Sequence, residues 1–225
     1  MAEIKAVASR LFDDVPYSEI TMSMIAKDLS WTRANLYRYV DTKEEIYVAL
    51  HEDCMIKYYK DLETAFPKGS NISLESTAEV WAGILMANYR YLMMGHILWA
   101  VVETSISAER LDQFRGVYSR VSNGFLQQMA DELDITLEQS KRLSLSIYYH
   151  GMGLVCSRFT SGKRECGTNP FGVLIYTDES FKREMAEFIL MLLLYVTGGF
   201  GDGRKKSGSS ACPTNFFKDV PERNS

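Results

Sequence analysis

What most constrains this chain is how often its first 66 residues break off one short apolar period and begin another. Ala2–Phe12 sets Ile4, Val7, Ala8, Leu11 and Phe12 on one helical face, and Asp13-Asp14-Val15-Pro16-Tyr17 interrupts it. Thr21 is placed to cap a second short helix, Met22–Leu29, in which Met22, Ile25, Ala26 and Leu29 fall at i, i+3, i+4 and i+7. Ser30-Trp31-Thr32 breaks the pattern again, and Thr32 caps a third short helix through Tyr39. Asp41-Thr42 then opens a long helix from about Lys43 to Phe66. Three short helices followed by a long one make a compact head.

Past the loop Pro67–Asn71 come longer amphipathic segments, roughly 74–94, 97–105, 108–133, 137–160 and 179–197. In the third, Leu111, Phe114, Tyr118, Val121, Phe125, Met129 and Leu133 keep a helical period. The last is bounded by Thr177 or Asp178 in front and Gly198-Gly199 behind. A Gly/Pro/Asn-containing stretch at 161–177 is expected to be a long connection, and 201–225 a flexible tail. The fold class is all-α: a three-helix head over 1–46, a larger helical domain over 47–200, and the tail.

Composition narrows the function. With 46% hydrophobic and 24% charged residues the chain is an ordinary globular protein. Its net charge of -4 gives no overall polycationic pull on nucleic acid, so any DNA contact must come from a local patch. No secretory signal is visible in Met1–Phe12, and the longest apolar run, Phe188–Val196, is too short to cross a bilayer. Cys54, Cys156, Cys166 and Cys212 are scattered, which fits reduced thiols and a cytoplasmic protein. His51, His96 and His150 show no metal-ligand spacing with them, and no Ser-His-Asp arrangement offers catalysis. The expectation is a non-enzyme with no cofactor and no metal. Two weaker motifs are a glycine run at 198–203, which lacks a preceding strand, and a Cys156/Cys166 redox pair, for which inert thiols are the simpler account.

Residues 22–40 supply the parts of a helix-turn-helix: two short helices, a tight turn, and a second helix able to enter a major groove. Ile25, Ala26, Leu29, Trp31 and Leu36 can form its small core. Thr32, Arg33, Asn35, Tyr37, Arg38 and Tyr39 would face outward, and residues 31–40 contain Arg33 and Arg38 but no Asp or Glu. Arginine forks suit guanine edges and phosphates, and asparagine suits adenine. Several positions have a plainer alternative. Tyr37 and Tyr39 also fit packing roles with wet hydroxyls, Arg38 an ion pair with Asp41 or Glu45, and Lys43 a solvated helix start.

The run Ile20–Ala26, then Leu29-Ser30-Trp31-Thr32-Arg33-Ala34-Asn35-Leu36-Tyr37-Arg38-Tyr39-Val40, then Thr42-Lys43-Glu44-Glu45-Ile46 resembles the tetracycline-repressor (TetR/AcrR) family of transcriptional regulators. The resemblance covers residues 4–50 and continues to 200 as an all-helical layout. It implies phosphate contacts at Thr32, Tyr37, Tyr39 and Lys43, base reading at Arg33, Asn35 and Arg38, and a backbone contact at Thr21. Ala34, where the family often has glycine, lies on the same face. Met22 and Val40 depart from the family pattern, as does Ser30, which must take a turn conformation easier for glycine.

The resemblance further implies an effector chamber and a dimer interface in the larger domain. Trp81, Leu85, Met86, Tyr89, Met93, Trp99, Glu103, Tyr118, Phe125, Tyr148 and Met152 are the chamber candidates, although apolar residues at helical period are as readily plain core. Phe188–Val196 is apolar all round and calls for burial on several faces, as a seam shared by 137–160 and 179–197 from two chains would give. His150-Gly151-Met152-Gly153 adds small residues for close helix approach. The function implied is a homodimeric repressor on a palindromic double-stranded operator, released by a small-molecule effector, with no membrane partner. The alternatives are an all-helical carrier or enzyme without specific DNA binding, and a regulator whose chamber is vestigial.

Overall fold

The computed structural model describes residues 1–70, 72–161 and 177–198, without the side chains of 100–104 and 157–161. The described residues are helical and turn, with no strand among them. In order they are α1 (Ala2–Asp14), a 3₁₀ turn (Tyr17–Glu19), α2 (Met22–Asp28), α3 (Arg33–Leu36), α4 (Lys43–Ala65), α5 (Leu74–Ala87), α6 (Tyr89–Ser105), α7 (Ala108–Glu132), α8 (Leu137–Ser161) and α9 (Asp178–Val196). The predicted connection at 161–177 and the tail at 201–225, with Cys166 and Cys212, lie outside the described residues apart from Ser161 and Thr177.

The helix starts are set by side chains in the sequence. Thr21, Thr32, Thr42, Ser73, Ser107 and Thr177 each accept a hydrogen bond from the backbone N–H three residues on, satisfying a donor the first turn leaves open. Two of the ends are set by left-handed residues other than glycine. After α2, Ser30 sits at φ 56°, so that Ser30 N–H reaches the Lys27 carbonyl and Trp31 N–H the Ala26 carbonyl. Asp134 repeats this after α7, where Ile135 N–H reaches the Ala130 carbonyl.

Two hydrophobic cores form around α4. Ile4, Ile25, Leu36 and Ile46 are all but fully buried in the head core, where α6 contributes Met94 and Leu98. The body core is built from aromatics and long aliphatics: Tyr58, Tyr59, Trp81, Leu85, Tyr91, Phe125, Ile147, Phe181 and Met185. In α9 the residues Phe181, Met185, Ile189 and Leu193, at i, i+4, i+8 and i+12, are buried against the rest of the body. Met191 and Tyr195 on the same helix stay exposed.

Two helix boundaries differ from expectation. The predicted segment 74–94 breaks at Asn88, which is buried: its amide nitrogen donates to Asp61 (2.8 Å) and to the Ile84 carbonyl (2.9 Å), and its amide oxygen accepts from Lys57 (3.1 Å). Helix α6 then runs through Gly95, where a break was expected. Gly95 is buried against Tyr148, and a Cβ there would collide with the tyrosine hydroxyl. Gly151 also serves close packing, but within one chain: a Cβ there would lie 3.1 Å from Leu92 Cδ1.

Candidate functional site

The head presents α3 as its outward element. Leu36 is fully buried beneath it, while Thr32, Arg33, Ala34, Tyr37, Arg38 and Tyr39 are exposed and Asn35 is half-buried. Four residues are α-helical; beyond them Arg38 N–H bonds to the Asn35 carbonyl and Tyr39 N–H to the Leu36 carbonyl. The predicted helix through Tyr39 therefore tightens into i→i+3 turns after Leu36, which still hold Arg38 and Tyr39 on the exposed side. Trp31 is half-buried and packs on Tyr39, ring centroids 5.4 Å apart, so the indole supports one of the exposed tyrosines.

The cationic face is uncommitted. Neither Arg33 nor Arg38 forms an ion pair among the described residues. Of the two acids that could have paired with Arg38, Glu45 instead accepts from the Asp41 backbone N–H at 3.1 Å. Thr21 and Thr32 are exposed, with their hydroxyl oxygens capping α2 and α3. Lys43 is placed differently. Its Nζ donates to the Tyr17 carbonyl (3.0 Å) and the Ile20 carbonyl (2.9 Å) and lies 4.4 Å from the Tyr17 ring centroid. Two of its three N–H donors thus tie α4 to the segment before α2. Burial and the adjacent Glu44 carboxylate push the Tyr17 phenol upward, so it stays a neutral donor to Glu44.

The body holds a cavity of about 260 Å³. Its walls are His51, Met55, Tyr58 and Tyr59 of α4, Tyr91, Leu98 and Trp99 of α6, Phe114, Arg115 and Tyr118 of α7, and Ser144, Leu145, Tyr148 and Tyr149 of α8. Of the chamber candidates, Trp99, Tyr118 and Tyr148 line it. Trp81, Leu85 and Phe125 lie instead in the packed body core, at 1%, 0% and 0% exposure. Met86, Met93 and Met152 are half-buried against that core, and Tyr89 is exposed beside a surface cleft near the end of α1. The Glu103 side chain lies outside the described residues. The α4 wall was missed, yet its signal was present: His51, Met55, Tyr58 and Tyr59 stand at i, i+4, i+7 and i+8. Desolvation pushes His51 down to about 3, so its imidazole is neutral. Its Nδ1 is buried without a hydrogen-bond partner, and its Nε2 is 3.4 Å from the Tyr148 hydroxyl.

Among the described residues no group of His, Cys, Asp and Glu is arranged to hold a metal ion, and no helix is long and apolar enough to cross a membrane. Cys54 and Cys156 are half-buried thiols, and burial raises both above the ordinary thiol range, which makes them less reactive.

Fold and exposed face together define a helix-turn-helix DNA-binding protein with a larger helical body. Residues 4–50 match the family "Bacterial regulatory proteins, tetR family", so the head of this chain is similar to the DNA-binding domain of those regulators. No curated protein matches the chain. Solved structures share its fold. BioQ from Mycobacterium smegmatis is 15% identical over 86% of this chain and 97% of its own, with a TM-score of 0.53. The fatty acid degradation regulator FadR from Bacillus halodurans is 14% identical over 84% and 93%, with a TM-score of 0.50. A TetR transcriptional regulator from Rhodococcus sp. RHA1 is 16% identical over 86% and 94%, also at 0.50. At such identities the likeness is one of fold.

Proposed function

We propose that the chain is a homodimeric repressor that binds a palindromic operator and leaves it when a small molecule fills the body cavity. The observation that carries this reading is the α3 face, where Arg33 and Arg38 stand exposed without ion pairs beside Thr32, Asn35, Tyr37 and Tyr39. Arg33, Asn35 and Arg38 read base edges, and Thr21, Thr32, Tyr37 and Tyr39 hold phosphates, with the small Ala34 allowing close approach. Lys43 keeps one free N–H for a phosphate while its other two fix the head. The head is residues 1–46 and the effector and dimer domain 47–200.

Dimerisation is supported by the apolar residues that α9 leaves uncovered: Met191 and Tyr195 are each more than 40% exposed. A two-fold pair of heads matches an inverted repeat. Coupling of cavity to head is supported by α4, whose first turns carry head-core residues Ile46, Tyr47 and Leu50 and whose later turns carry the cavity wall. A ligand that shifts α4 changes the spacing of the two heads, and so binds better to one state than the other.

The test is selection of bound duplexes from a random pool at stated salt, followed by titration of Arg33→Ala on the selected site. An inverted repeat is expected, with Arg33→Ala losing about 1–3 kcal/mol and relaxing preference at one base pair per half-site. A folded dimer that enriches no sequence would leave the carrier or enzyme reading in its place.

A further inference from the structure

The wall of the body cavity specifies the charge and shape of what it can hold. Among the described residues eight aromatic side chains line it, no carboxylate does, and the one permanent charge, Arg115, is paired at the surface with Asp112 at 3.0 Å. The hydroxyls in the wall are largely spent on one another. Trp81 Nε1 donates to the Tyr58 hydroxyl at 2.8 Å, Tyr59 bonds with Ser144 and Tyr118, and Tyr148 bonds with Trp99. The exception is His51: its Nε2 lies 3.4 Å from the Tyr148 hydroxyl, a long contact, and its Nδ1 has no partner among the described residues.

A carboxylate or phosphate here would lose its hydration and gain no free cation. A cation would meet electron-rich ring faces, but no counter-charge among the described residues, and the same surroundings already hold His51 neutral. What remains is an apolar, flat occupant. The cavity has about the volume of nine waters, room for roughly two rings rather than for a long acyl chain.

Resting on the effector-controlled reading above, we propose that this cavity binds a neutral, planar aromatic molecule of about two rings, carrying a hydroxyl-type group that engages the Tyr148–His51 pair. Ring faces of Tyr91, Phe114 and Tyr118 supply offset and edge contacts, which favour a flat aromatic over an aliphatic of equal volume. Leu145, Trp99 and Tyr149, each more than a third exposed, form the entrance.

Three probes of similar shape and different charge test this on the full chain: 2-naphthol, 2-naphthoate and N-methylquinolinium, titrated calorimetrically into protein shown empty by native mass spectrometry. The expected result is saturable binding of 2-naphthol at least about tenfold tighter than either ion. Equal or tighter binding of an ion, or no binding of 2-naphthol, overturns the proposal. Leu145→Trp, a substitution at an exposed position, fills the entrance and is expected to weaken 2-naphthol about tenfold. Unchanged affinity would put the ligand elsewhere and overturn the assignment of the cavity. Operator release is measured separately. Binding of 2-naphthol without release defeats the effector reading and leaves the ligand class standing; release by an ion alone does the reverse.

Discussion

Head and body are built on opposite plans from one shared helix. The head is small and tightly punctuated, with threonine caps, a left-handed Ser30 and a lysine staple holding a modest aliphatic core around Ile25, Leu36 and Ile46. Nearly all its chemistry faces outward. The body keeps its chemistry inside: tyrosines, Trp81 and Phe125 pack from α4, α5, α6, α7 and α8, and a cavity remains among the rings. A surface that must meet a rigid duplex benefits from short, firmly capped elements. A site that must enclose a small molecule needs long helices whose side chains can leave a void, and voids cost packing contacts.

The largest effect that would sharpen this contrast comes from truncating each core. Phe125→Ala is expected to lose about 3–5 kcal/mol and Leu36→Ala about 2–5 kcal/mol, both read from urea melts. If α4 unites the two regions, each variant shows one shifted transition by fluorescence and by circular dichroism. Two separated transitions in Leu36→Ala would show that the head melts alone.

Protonation gives the next largest effect and concerns the body alone. His51 is held neutral when folded, down to about pH 3, whereas the unfolded imidazole protonates near 6.5. Below 6.5 the unfolded state binds the extra proton, so stability falls as pH drops toward the folded value, by up to about 1.4 kcal/mol per pH unit. Between pH 6.5 and 5 that amounts to about 2 kcal/mol. His51→Gln should flatten this slope relative to the parent chain; equal slopes would mean that His51 titrates normally.

Lys43→Met separates the two roles of a residue in the head. Loss of the bonds to the Tyr17 and Ile20 carbonyls is expected to cost about 1–2 kcal/mol of stability. If Lys43 also holds a phosphate, the salt dependence of operator binding becomes shallower by about 0.9 per protomer; an unchanged slope confines it to the staple. Ser30→Gly should give the smallest change, a gain of about 0.5–1 kcal/mol, because glycine adopts φ 56° without the Cβ clash. A loss in thermal melts would mean that the serine side chain contributes something the backbone geometry does not show.

Much of the head was legible in advance. Thr21, Thr32 and Thr42 cap where the pattern placed them, and the buried set Ile25, Ala26 and Leu36 follows from periodicity. Lys43 was legible as a residue but not as a staple, since its partners lie 26 and 23 positions away. In the body, Asn88 was not read as a boundary because it is neither Gly nor Pro. What stops the helix there is an amide tied to Lys57 and Asp61 of another helix. The sequence segments part between 94 and 97, yet Gly95 lies inside α6, where its lack of a Cβ admits Tyr148.

By itself, then, the sequence determined the all-helical class, the capped short helices and the cationic residues of the exposed turn. Those depend on neighbours within one or two turns of helix. Tertiary structure alone decided that Trp81 and Phe125 are core while His51, Tyr91 and Tyr149 line a cavity, and that one of the head's lysines faces inward. Periodicity marks which face of a helix is apolar but not which partner meets it. A void exists only where four helices fail to close on one another, and no local pattern in any one of them records that distance.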